Sequence, residues 1–360
     1  MSFFLKRCLA SILALVLITF VFVSCSNGGD DDDTTTQQTT TTTNSTSNSS
    51  SSSSSTDNSS NTSTDSTTGT SSIAEKPRSG YDIAIYLKSV CTDDTLKFLP
   101  SKTAPSATTA TYELNSEIGA VMWLEGNTIY YYAEGYTDSN KGIPLNSSSA
   151  QMFDFNYAYR DSQSHCPFEE IDMTGFDTSN STNMHRMFAT CNALKSLSIS
   201  NFDTSKVSIM GGMFKGCKAL ESLDLSSFDT SKVTSMNEMF QDCSSLASLD
   251  LSSFDSSNVT DMDDMFIDCS ALTSLDVSSF DTSNVTDMEG MFEFCSALKT
   301  IYATSGTDWS SSSADSSSMF CGCTSLVGGN GTVYDSSHTD ATYARVDGLN
   351  GNPGYFTAKQ

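Results

Sequence analysis

The chain has 360 residues, with 43 acidic against 18 basic side chains and a formal charge of −25. That excess disfavours nucleic acid and anionic lipid as partners, and the basic residues are scattered without forming a patch. Six of the eleven cysteines fall in a repeat register, so the counting that identifies a disulfide framework does not apply to them directly.

Lys6 and Arg7 precede an apolar run from Leu9 to Val23, and the small Ser24 stands before Cys25. This pattern predicts an export signal over residues 1–24, because the run is too short and wrongly flanked for a membrane span. In the segment 25–72, the residues after Cys25 are Ser, Thr, Asn, Asp and Gln with three Gly, and none is aromatic, Lys or Arg. Such a segment buries too little apolar surface to offset its ordering entropy, which predicts a disordered tether of roughly 35 Å average span.

Residues 73–151 do not repeat. Ile83–Leu87 and Thr128–Tyr132 are β-branched and aromatic and read as strands of a β-rich N-terminal cap, with Pro100, Pro105 and Pro144 in loops. The Tyr130–Tyr132 cluster reads either as packing within that cap or as a binding patch.

From residue 152 to 326 the chain repeats every 26 residues. Phe176, Phe202, Phe228, Phe254 and Phe280 are each followed by Asp. Met187, Met213, Met239, Met265 and Met291 each precede Phe, with Cys191, Cys217, Cys243, Cys269 and Cys295 four positions on. A fixed period of this length means a solenoid, since one unit cannot bury its own apolar face. In one unit Leu220, Leu223 and Leu225 read as a short strand, and Asp229-Thr230-Ser231 as a turn. Val233, Met236, Met239 and Phe240 fall at helical spacings, with Thr234, Thr260 and Thr286 as N-caps. Thr260 with Asp263 and Thr286 with Glu289 have capping-box spacing. The expected fold class is therefore an α/β solenoid of leucine-rich-repeat type, one short strand and one short helix per coil, with β-rich caps at 73–151 and 327–360. Met152-Phe153 lies 35 residues before Met187-Phe188, which predicts a surface insertion around Asn156–Ser164.

The unit S-L-D-L-S-S-F-D-T-S-x-V-T-x-M-x-x-M-F-x-x-C-S-x-L resembles the BspA-like leucine-rich-repeat surface proteins and their mycoplasma-type repeat of unknown function. The F-V-S-C ending at Cys25 resembles a relaxed lipobox, in which that cysteine is lipidated. These resemblances imply a bacterial surface protein held by a lipid anchor only, with adhesion to a host or neighbouring cell. They carry over no catalytic residue.

The Cys row reads as buried small side chains filling one slot, because one thiol per coil makes a line rather than a metal tetrahedron. Cys91, Cys166 and Cys321 lie off that register and are the candidates for one disulfide in an oxidising compartment. The Asp177, Asp203, Asp229, Asp255 and Asp281 row reads as turn-capping rather than calcium-binding, since no glycine shapes a loop around it. No cofactor or metal site is expected. His165, His185 and His338 lack a convincing nucleophile or metal-spaced partner in the sequence, so a non-enzyme is expected.

The outward strand positions form the candidate binding face: Asp172, Asp224, Asp250, Asp276 and Tyr302, set among Ser and Thr. An acidic, hydroxyl-rich face suits a basic protein or glycoprotein partner. The alternative is a structural or shielding envelope component with no specific ligand.

Overall fold

A computed structural model describes residues 78–91, 96–136, 142–154, 166–310 and 312–360. The export signal, Cys25, the tether and the insertion at Asn156–Ser164 lie outside the described residues.

Helix α1 spans Gly80–Val90, where the sequence reading expects a strand at Ile83–Leu87. Two local features correct that expectation. Ser79 and Asp82 form a reciprocal capping box, and Ile83, Ala84 and Leu87 are buried at helical spacing. Ile83 therefore packs on a helix face despite its strand propensity, while Ile85 is exposed.

Strands β1 (Leu96–Pro100), β2 (Tyr112–Asn115), β3 (Ala120–Glu125), β4 (Thr128–Tyr132), β6 (Phe168–Asp172) and β8 (Ser196–Ser198) form one sheet in the order β2-β3-β4-β1-β6-β8. The β2-β3-β4 meander is antiparallel, and the pairings from β4 through β1 and β6 to β8 are parallel. The non-repeating segment thus shares its sheet with the first coils. Short strands β5 (Ile143–Pro144) and β7 (Phe176–Asp177) pair beside it, and β9 (Ser274–Asp276), β10 (Thr300–Ala303) and β11 (Phe356–Ala358) form a parallel sheet at the far end.

Between these sheets the repeat units stack in parallel. Single bridges run Ser148, Asn183, Ile209, Ser235, Asp261, Asp287, Asp315. Phe153, Phe188, Phe214, Phe240, Phe266, Phe292 and Phe320 form a face-to-face column with centroids 5.5–5.8 Å apart. Both ends of that column meet rings edge-on. Phe98 closes one end on Phe153 at 5.2 Å, and Tyr355 closes the other on Phe320, also at 5.2 Å.

The helix expected in every coil is absent, and α1 is the one α-helix among the described residues. In its place runs a chain of tight turns. Met239, Gln241 and Cys243 donate N–H to the carbonyl three residues back, while Met236, Glu238, Phe240 and Asp242 donate to Asp261, Asp263, Met265 and Ile267 of the next coil. Those lateral bonds measure 2.7–2.9 Å. Glu238 and Asp242 take φ of 56° and 61°, and the equivalent pairs Arg186 and Thr190, and Asp264 and Asp268, do the same. A left-handed residue every four positions breaks a helix before it can propagate, and the lateral partners satisfy the donors that the helix would have used. The capping boxes are corrected with it. Thr260 Oγ1 donates to Thr234 O, and the Asp263 and Glu289 amides donate to Asp261 and Asp287 Oδ1.

A second lateral row uses hydroxyls. Buried Thr204 donates to Asp229 O at 2.9 Å and accepts from Asp229 N at 2.8 Å, and Thr178, Thr230 and Ser256 repeat this toward Asp203, Asp255 and Asp281.

Candidate functional site

The strand side is built less tightly than the turn side. Asp172 lies opposite Ser198 in the β6–β8 register, and Asp276 lies opposite Tyr302 between β9 and β10. The two intervening coils, carrying Asp224 and Asp250, have no strand pairing at this level. A cleft of about 210 Å³ opens between them, lined by residues 223–226 of one coil and Asp250, Ser252 and Ser253 of the next.

Each of the four aspartates spends one oxygen on its own backbone. Asp172 Oδ1 accepts from Thr174 N at 2.9 Å, Asp224 from Ser226 N at 3.0 Å, and Asp250 and Asp276 from Ser252 N and Ser278 N at 2.9 Å. The Ser226 hydroxyl and then its amide hold Asp224 below the usual carboxylate range, and the Ser252 amide and hydroxyl do so for Asp250. Asp224 and Asp250 are exposed.

The ends of the row already carry lysines. Lys359, just past β11, reaches Asp276 Oδ2 at 2.7 Å and Ser278 Oγ at 3.1 Å. Burial opposes ionisation of Asp276, but this ammonium and the Ser278 donors outweigh it and lower the pKa. At the other end Lys97 pairs with Glu170 at 2.7 Å, beside Asp172. Tyr302 is 39% exposed. Of the five residues singled out from the sequence, the structure brings Asp224 and Asp250 together at a cleft, engages Asp276 with the tail, and leaves Asp172 half-buried. Lys359 was missed by the sequence reading, and its only signal there is a lone cation near the end of an acidic chain.

The tyrosine cluster divides. Tyr131 is fully buried, donates its hydroxyl to Asp172 O at 2.9 Å and accepts Gly175 N at 3.1 Å, so it ties the N-terminal sheet to the first coil. Tyr130 and Tyr132 are half-buried.

The Asp177, Asp203, Asp229, Asp255 and Asp281 side chains accept the amide of the residue two positions on, at 2.9–3.0 Å. Among the described residues no group of His, Cys, Asp and Glu is arranged to hold a metal ion. The row cysteines are buried, and Cys217, Cys243, Cys269 and Cys295 direct Sγ to the Phe carbonyl of the preceding coil at 3.1–3.3 Å. Burial pushes the Cys243 and Cys295 thiols up to about 12. His338 does meet a serine and an aspartate that the sequence reading passed over. Ser337 Oγ and Asp335 Oδ2 both approach its Nδ1, at 3.0 and 3.4 Å, whereas a catalytic triad needs them on opposite ring nitrogens.

No helix among the described residues is long and apolar enough to cross a membrane. No curated protein and no solved structure matches this chain. A family model described as "Mycoplasma protein of unknown function, DUF285" matches residues 153–250 and 224–334, together just over half of the chain. Those matches begin at the first phenylalanine of the ring column and run past its last, and the chain belongs to the DUF285 family.

Proposed function

We propose that this chain is an exported, lipid-anchored bacterial surface protein that binds without catalysis. On this reading its coils form a BspA-like leucine-rich-repeat solenoid, and its acidic strand face takes a basic protein or glycoprotein of a host or neighbouring cell. The observation that carries the reading is Lys359, whose ammonium rests on Asp276 and Ser278. Asp250 with Ser252 and Asp224 with Ser226 repeat that Asp-x-Ser pair one and two coils back, on exposed ground beside the cleft. An ammonium between an ionised carboxylate and a hydroxyl gains charge-assisted hydrogen bonds, and repetition along a stack gives avidity to individually weak contacts.

The test is binding of the full chain to an array of matrix glycoproteins, mucins and cell-wall polymers, alongside an Asp224→Asn/Asp250→Asn variant. Saturable, salt-sensitive binding lost in the variant supports the face. Binding retained in the variant moves the site elsewhere, and no binding at all favours the envelope-component reading. Anchoring has its own measurement, palmitate labelling of cells: an unlabelled product at the mature mass would refute lipidation at Cys25.

A further inference from the structure

The off-register thiols gather at one end of the stack. Cys91 closes helix α1, its N–H on Leu87 O at 2.9 Å, and is half-buried against the core. Cys166 is buried just ahead of β6, and its N–H reaches Thr190 O at 3.3 Å. Strands β1 and β6 are parallel neighbours, with Leu96 opposite Phe168 and Leu96 N on Pro167 O at 3.0 Å. Cys91 and Cys166 therefore precede the same ends of two paired strands. Beyond burial, Cys166 acts on both the Cys91 and the Cys191 thiols through space, raising each. Cys321, the third candidate from the sequence, lies in the last coil, beside Phe320 at the opposite end of the ring column.

We propose that Cys91 and Cys166 form a disulfide that fastens the N-terminal helix to the first coil. The chemistry is two successive thiol–disulfide exchanges with a disulfide-bearing oxidant of the class an exported chain encounters. The Cys91 thiolate attacks one sulfur of the oxidant, forming a mixed disulfide and releasing one oxidant thiol. The Cys166 thiolate then attacks the Cys91 sulfur and releases the second. Two protein thiols lose two electrons and two protons, and the oxidant gains both as a dithiol. Cys191 remains a thiol in the buried row.

Burial pushes the Cys91 thiol up to about 12, which slows exchange once the helix has docked.

The proposal rests on export for its oxidant but not for its geometry, and the test separates the two. Full-length chain is refolded with oxidised glutathione and digested with trypsin without reduction. Lys88, Lys97, Arg160, Arg186 and Lys195 place Cys91, Cys166 and Cys191 on three different peptides. The expected product is peptide 89–97 joined to peptide 161–186, absent after Cys91→Ser. Reduction should lower the melting temperature of the oxidised wild type by roughly 5–10 °C and leave Cys91→Ser unmoved. Free, alkylatable Cys91 after oxidative refolding, or a Cys166 to Cys191 linkage, overturns the pairing. A linked product in vitro with free thiols in cell-derived protein would instead refute export into an oxidising compartment, leaving the pairing intact.

Discussion

The turn side and the strand side of each coil come from the same 26 residues, yet they are built to different standards. On the turn side, four lateral amide bonds, a ring column and a row of thiols lock coil to coil. On the strand side, pairing exists at the two ends and lapses around Asp224 and Asp250, where a cleft opens. Coil-to-coil bonding is thereby concentrated on one edge of the stack, and polar groups on the other stay exposed beside the cleft.

That contrast can be broken at several strengths. Phe240→Ala removes a fully buried ring from the middle of the column and should cost about 3–5 kcal/mol in denaturant unfolding. Leu249→Ala, on the cleft side and already 9% exposed, should cost about 2 kcal/mol. Equal losses would mean that the two sides are equally packed. Thr230→Val keeps the shape but strips Asp255 of both its donor and its acceptor, for an expected loss of about 1–3 kcal/mol. Asp242→Gly should move the other way, stabilising by about 1 kcal/mol because a left-handed φ of 61° suits glycine better. A loss of stability there would show that Asp242 does more than bend the chain.

The smallest expected effect is electrostatic. Burial, and then Asp264, Asp287, Asp261 and Glu289, push Asp263 up to about 7. The folded state therefore binds this proton more tightly than the unfolded chain, whose carboxyl titrates near 4. The group withdraws stability as pH rises from about 4 through 7. Asp263→Asn should raise the melting temperature at pH 8 and lose that advantage as pH falls to 4. The aspartates of the turn row behave oppositely. Asp203, Asp229, Asp255 and Asp281 are held low by the hydroxyl and amide two residues on, so their contribution is present above pH 4 and fades below it.

The period, the rows of Phe, Met and Cys, and the outward aspartates were legible because each is a repeated residue at a repeated place. The missing helices were not, because spacings of three and four are shared by a helix and by linked turns with a left-handed residue every fourth place. A signal was present. Gly212 and Gly216 occupy in one coil the places of Glu238 and Asp242 in the next, and Gly290 and Gly322 recur at equivalent positions. Paired glycines four apart argue against a helix interior. The α1 segment failed in the opposite sense, since strand propensity at Ile83 and Ile85 yielded to the Ser79 cap. Lys359 could not be placed from sequence, because 81 residues separate it from Ser278 and only the fold joins them.

The edge-on rings at the two ends of the column have a consequence for solubility. Every interior coil offers its neighbour identical donors and a flat ring, a surface that would accept another molecule's coil as readily as its own. Such a contact is head-to-tail and does not close, so it would propagate into fibres. Phe98 and Tyr355 turn the outermost faces into dead ends, and Thr339 O takes the Phe320 amide where another coil's carbonyl would otherwise sit. The same two plugs let the number of coils change by duplication or loss without creating a polymer.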